Sequence, residues 1–169
     1  MEANNSMIKN QIQETFDQLI TIVKNVDQEV VNKKPSENAW SVGQIVEHIT
    51  ISLSGFEELF SNGNIPAERE IDKKVQAIRD VFLNFDTKYD APETIVPQKN
   101  SHQKEEIIGD IGKVKNDLIS LAEKSDLALI PQHFEIPGFG KFTRLEWLTF
   151  AVFHTQRHTL QISKTITIV

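Results

Sequence analysis

His154-Thr155-Gln156-Arg157-His158 places two imidazoles four residues apart. On an α-helix, residues i and i+4 lie on one side, a turn apart. Two neutral imidazoles so placed can turn ring nitrogens toward one ion, which zinc-like metals accept at about 2.0–2.1 Å. The pattern is not the H-E-x-x-H of the metalloproteases. Thr155 stands in the second position, so no glutamate base sits between the histidines. Taken alone, H-x-x-x-H also fits two hydrogen-bonded or surface histidines.

At about 100° per residue, Trp147, Ala151, Gln161 and Ile162 share the arc of this pair. The pair therefore faces inward or half inward, with the small Ala151 leaving space beside it. Gln161, one turn beyond His158, is the one candidate for a supporting catalytic role. It can orient a ligand or a water, or simply hydrogen-bond another helix. His48 interrupts an apolar helix and needs a partner, since burying an unpaired polar ring is costly. Ile45, Ser52 and Leu59 share its side. His102, at a polar helix start, and His133, in a Pro-flanked loop, read as surface residues. Glu47 and Arg157 project off the histidine arcs and read as surface or supporting groups. Trp40 and Trp147 are either pocket walls or core anchors. The chain contains no cysteine, which excludes disulfides, thiolate ligands and a cysteine nucleophile.

The elements that must position these residues are four long helices and two irregular connections. The first helix spans about Ser6 to Val30, with Ile8, Ile12, Phe16, Leu19, Ile20, Val23 and Val26 at the 3.6-residue period. Ser41 and Gln44 form a capping box that opens the second. Its stripe of Val42, Ile45, Ile49, Leu53, Phe56 and Phe60 ends at Ser61-Asn62-Gly63-Asn64, where glycine suits a left-handed turn. A long connection from Gly63 to Asn100 follows, with a short helix near Ile71 to Leu83. The third long helix spans about Ser101 to Lys124. Phe134-Glu135-Ile136 reads as a short extended piece. Thr143 and Glu146 form a second capping box, opening a last helix that reaches about Thr165. The fold expected is an all-α four-helix bundle. The long crossover between helices two and three favours up-down-down-up order.

The 169 residues fit one domain, 1–169, with enough interior for a core. Hydrophobic residues are 39% and charged residues 25%, ordinary for a globular protein. The net charge of −6, with lysines scattered among acids, argues against a nucleic-acid partner. No apolar run approaches spanning length, and the N-terminus lacks a signal-peptide pattern, so no membrane partner is expected and the cytoplasm is the simplest location.

Two segments together resemble the DinB/YfiT-like superfamily of small metal-binding four-helix bundles. They are Trp40-Ser41-Val42-Gly43-Gln44-Ile45-Val46-Glu47-His48 and His154-Thr155-Gln156-Arg157-His158-Thr159-Leu160-Gln161-Ile162. Helix order, chain length and the long central connection fit as well. The resemblance implies a divalent-metal triad of His48, His154 and His158. It also implies up-down-down-up order and frequent homodimers. The activities it implies are hydrolysis, or S-transfer and isomerisation dependent on low-molecular-weight thiols, all on small-molecule substrates.

A three-histidine site leaves a coordination position open, as catalytic rather than structural zinc sites do. Such a position can activate water, giving a hydrolase, or hold a thiol cosubstrate, giving an S-transferase. Imidazole suits several metals, with Zn or Ni favoured here. The alternative is a non-catalytic metal-binding bundle, in which the ion staples two helices and a fourth protein ligand closes the site. A catalytic site requires a concave pocket above the histidines.

Overall fold

The computed structural model describes residues 2–169. Its long helices are α1 (Glu2–Lys24), α3 (Val42–Leu53), α6 (Lys104–Lys124) and α7 (Arg144–Ile168). Shorter ones are α2 (Gln28–Val31), α4 (Phe56–Ser61) and α5 (Val75–Phe82), with a 3-10 turn at Glu93–Ile95. Two three-residue strands, β1 (Asn64–Pro66) and β2 (Leu129–Pro131), pair antiparallel, Ile65 opposite Ile130.

The helices form where the apolar period demands it. Ile8, Ile12, Phe16, Leu19 and Val23 of α1 are buried, as are Ile107, Ile111, Val114 and Leu118 of α6. These faces meet Ile45, Ile49 and Leu53 of α3 and Leu148, Ala151, Val152 and Ile162 of α7 in one core. Both capping boxes are present: Ser41 with Gln44, and Thr143 with Glu146. Such a cap contributes about 1 kcal/mol. Gly63 takes φ +58° at the turn after α4.

Polar contacts fix how the helices run. Near its start α1 bonds the end of α6, Asn5 Nδ2 donating to the Ala122 carbonyl at 2.7 Å. Further along, Lys115 pairs with Asp17 at 2.9 Å, and Lys104 Nζ reaches the Val26 carbonyl at 3.1 Å. These two helices are therefore antiparallel. The starts of α3 and α6 lie together, with His102 against Gly43. A Cβ on residue 43 would stand 2.6 Å from His102 Nδ1, so only glycine admits the ring. The start of α7 lies at the other end, where Arg144 donates to the Phe60 carbonyl and the Leu145 amide to Leu127.

Several sequence expectations need correction. The first helix stops at Lys24, because Asp27 is extended and α2 starts anew. The second breaks at Ser54-Gly55, although Leu53, Phe56 and Phe60 are all buried. The third starts at Lys104 rather than Ser101. The strands lie at Asn64–Pro66 and Leu129–Pro131, not at Phe134-Glu135-Ile136, where only Ile136 makes an isolated bridge, to Gly140. The fold is mostly helical rather than wholly so. No described helix is long and apolar enough to cross a membrane.

Candidate metal centre

The Ser41 cap starts α3 so that His48 falls about two turns in, on the buried side. The i, i+4 spacing on α7 brings His154 and His158 to the same place. The ring centroids stand 5.0 Å apart for His48 and His154, 4.6 Å for His48 and His158, and 4.5 Å for His154 and His158. One ring nitrogen from each lies within 4.8 Å of the others. His48 and His154 are buried. His158 as a residue is half-covered, but its ring lies against the other two. No further histidine or carboxylate joins this cluster among the described residues.

Hydrogen bonds set two of the rings. His48 Nδ1 donates to the Ile95 carbonyl at 2.8 Å, and His158 Nδ1 donates to Gln161 Oε1 at 2.7 Å. A proton on Nδ1 leaves Nε2 bare. The His48 and His154 Nε2 atoms stand 3.1 Å apart. Two nitrogens bound to one ion at about 2.0–2.1 Å, at angles between about 90° and 110°, stand about 2.9–3.4 Å apart. Donor type and spacing, with the tautomers of His48 and His158, therefore fit a divalent metal. His154 Nδ1 is buried without a partner, so this ring's one polar contact is through Nε2 to His48.

Residues 11–162 match the pattern of the DinB superfamily. The chain belongs to that superfamily. YuaE of Bacillus subtilis (strain 168), an uncharacterized protein, is 23% identical over 155 residues, covering 89% of this chain and 90% of YuaE. Among solved structures, YfiT from Bacillus subtilis superposes with a TM-score of 0.63 at 14% identity, over 99% of this chain and 88% of that one. YfiT is described as a probable metal-dependent hydrolase with an unusual four-helix bundle topology. At that identity the likeness establishes a shared fold.

In this DinB-superfamily chain the walls of the cluster are largely aromatic. Trp40 stands 5.0 Å from His48, and Phe150 and Phe82 stand 5.3 Å and 6.1 Å from His154. Trp147 is instead a core anchor at 2% exposure, ringed by Phe56, Phe142 and Phe150. Gln161 bonds His158 on its own helix rather than another helix. Ser52 donates to the His48 carbonyl. His133 is exposed.

His102 is not a surface residue. It is 4% exposed, and its Nε2 lies 2.7 Å from Glu47 Oε2. Its backbone is clamped by Asn32 and Gln28. Burial opposes ionisation of Glu47, but hydrogen bonds from His102 and the Gln98 and Lys99 amides outweigh it and hold the carboxyl below its usual range. The polar neighbours of His102 suggested exposure, whereas its partner lies 55 residues away in sequence. The Ile95 carbonyl also carried no sequence signal.

A catalytic reading expects a concave pocket above the histidines. Two surface hollows lie elsewhere, one by Glu2, Asn5, Lys9 and Glu123, the other by Arg79, Asp80, Leu83 and Asn84. The end of α5 and the 3-10 turn flank the cluster, Phe82 against His154 and the Ile95 carbonyl on His48.

Burial pushes all three imidazoles toward the neutral form. His48 and His154 are shifted down, His154 strongly, and His158 falls from the ordinary 6.5 to about 3, with His48 adding repulsion. Between about pH 3 and 6.5 the unfolded chain thus binds a proton that native His158 refuses, and the lowered His48 and His154 act in the same direction. Stability is complete above about pH 6.5 and is lost as the pH falls below it. The metal-free protein should lose up to about 1.4 kcal/mol per pH unit through His158 across that window, with His48 and His154 adding loss in the same direction. Urea midpoints from pH 7.5 to 4.5 measure this; a flat profile would mean the rings are solvated.

Proposed function

We propose that His48, His154 and His158 hold one divalent metal ion, zinc or nickel, and that the chain is an enzyme acting on a small molecule. The carrying observation is three converging imidazoles with no fourth histidine or carboxylate in their cluster among the described residues. When bound, the ion supplies a Lewis-acidic centre with room to activate water or to take an added thiol as thiolate. The reading is hydrolysis or low-molecular-weight-thiol S-transfer. The description of YfiT supports the first, and the resemblance of the two histidine motifs supports the second.

The chain's own residues prepare the site. Ile95 and Gln161 hold His48 and His158 with Nε2 free for the ion. Aromatic walls lower the local dielectric, so a dication on neutral ligands strongly favours an anionic fourth ligand. The same walls suit a substrate whose non-reacting part is apolar. Gln161 is a positioning residue: Gln161→Ala should weaken metal binding about 10–100-fold while leaving one site per chain. Competition with a chromophoric chelator reads this, and unchanged affinity would remove Gln161 from the site. Activity is tested by screening the zinc- and nickel-loaded protein against esters, amides and electrophiles, with and without added thiol. Turnover only with thiol selects S-transfer, and turnover without it selects hydrolysis.

The enclosure of the histidines favours a second reading, in which the ion staples α3 to α7. It expects metal-dependent melting and no turnover. The up-down-down-up order is our reading of the chain path. It is supported by the antiparallel contacts of α1 with α6, the adjoining starts of α3 and α6, and the junction of Leu145 with Leu127. A homodimer in the cytoplasm belongs to the same reading. Phe153 and Leu160, only half-covered on α7, suit its interface.

A further inference from the structure

We propose that residues 84–91 form a gate over the histidine cluster and that Arg157 is its latch. This rests on the cluster being the site of chemistry. The segment leaves Phe82, whose ring stands 6.1 Å from His154, and returns to Ile95, whose carbonyl holds His48. It therefore arches from one side of the histidines to the other.

The two halves of this arch are held differently. From Ile95 onward the chain is bound to α3 at several points. His48 bonds the Ile95 carbonyl, Glu47 accepts from the Gln98 and Lys99 amides, and Gln44 Nε2 donates to the Lys99 carbonyl at 3.4 Å. His102 then locks against Glu47 and Asn32. Before Ile95 there is a single holdfast. The Arg157 guanidinium donates to the carbonyls of Phe82 at 3.3 Å, Asn84 at 2.7 Å and Thr87, and lies 5.3 Å from the centre of the Tyr89 ring. Among the described residues, no other side chain outside 84–91 hydrogen-bonds to that stretch. Asn84, Phe85, Asp86, Lys88, Tyr89 and Asp90 are all exposed.

A segment with little buried area and one polar anchor is the first to open. The planar fork of arginine binds several carbonyls at once, which a lysine cannot do. Arg157 precedes His158, so the latch sits on the helix that carries two of the three histidines. The arch blocks entry when closed, and opening 84–91 exposes His154 while the α3-bound half keeps His48 in place.

The test is the rate at which diethyl pyrocarbonate modifies His154 in metal-free protein, read by mass spectrometry, with exposed His133 as internal reference. Arg157→Gln should speed modification of His154 about tenfold or more and leave His133 unchanged. Equal His154 rates would overturn the gate. Should Arg157→Gln fail to fold, Arg157→Lys keeps the charge, loses the fork, and is read in the same way. A second arm follows transfer of Zn2+ from the loaded protein to EDTA, expected to be faster in the variant with one Zn2+ per chain retained. Faster modification with unchanged Zn2+ transfer would also overturn the gate as the control of access. If wild-type protein takes up no Zn2+, the metal reading fails, and the His154 rate still decides the gate.

Discussion

Zinc will raise the melting temperature of the wild-type chain and leave His154→Ala unmoved. An ion that binds only the native state at 1,000 times its Kd adds about 4.1 kcal/mol. In a chain of this size each kcal/mol is worth about 2–4 °C, so the rise should be about 8–16 °C. His154 is the informative position because it is buried and its Nε2 lies 3.1 Å from that of His48. Removing it takes away a donor that no neighbouring side chain replaces, since among the described residues the cluster holds only His48 and His158 besides. The substitution also leaves a void against Phe82 and Phe150, lowering metal-free stability. For that reason the measurement is the difference between melts with zinc and with EDTA, not the absolute midpoint. Metal content should fall from about one ion per chain to about none. A variant that keeps its zinc and its thermal gain would remove His154 from the ligand set.

The largest loss of stability should come from Glu146→Ala, far from any chemistry. Glu146 is fully buried and accepts from Arg69 Nη1 at 2.8 Å and Nη2 at 2.7 Å, from the Lys74 amide at 2.8 Å and from the Thr143 amide at 2.8 Å. It caps α7 and also docks the chain from Arg69 to Lys74 onto the start of that helix. Removing one partner of a buried ion pair typically costs about 3–5 kcal/mol, because the other charge and its donors are left unmatched. Against a total stability of about 5–15 kcal/mol, that is a large share. Urea unfolding of metal-free protein at neutral pH measures it. Arg69→Ala added to Glu146→Ala should cost less than the two single losses summed, since the stranded guanidinium is gone. Simple additivity would show that the two side chains do not act as a pair.

The roles of these two residues were unequally legible. Glu146 announced itself as half of a capping box, because that motif is local: hydroxyl and carboxylate lie three residues apart and the helix start brings them together. Its bond to Arg69, 77 residues away, left no trace in the sequence. The His154–His158 pair was legible for the same local reason, a helical turn spanning four residues. The apolar stripes of α1, α3, α6 and α7 were legible through their period. The break at Ser54-Gly55 was not, since Leu53, Phe56 and Phe60 all reach the core on either side of it.

What the sequence determined by itself was therefore the four long helices without their breaks, their buried faces, the caps of α3 and α7 and the pairing of two histidines on one of them. That His48 belonged with the pair came from the resemblance of the motifs. Tertiary structure decided what the rings meet: the 3.1 Å approach of His48 to His154, 106 residues apart, and the Ile95 carbonyl behind His48. It also decided that His102 is buried on Glu47 and that Arg157, beside His158, holds the carbonyls of Asn84 and Thr87. Periodicity sets which side of a helix is apolar. It does not set how far two helices are rotated against each other or where a long connection runs, and a backbone carbonyl has no letter in the sequence. The metal-ready arrangement of three histidines is thus local chemistry on α7, completed by α3 and by a crossover whose path only the packed chain fixes.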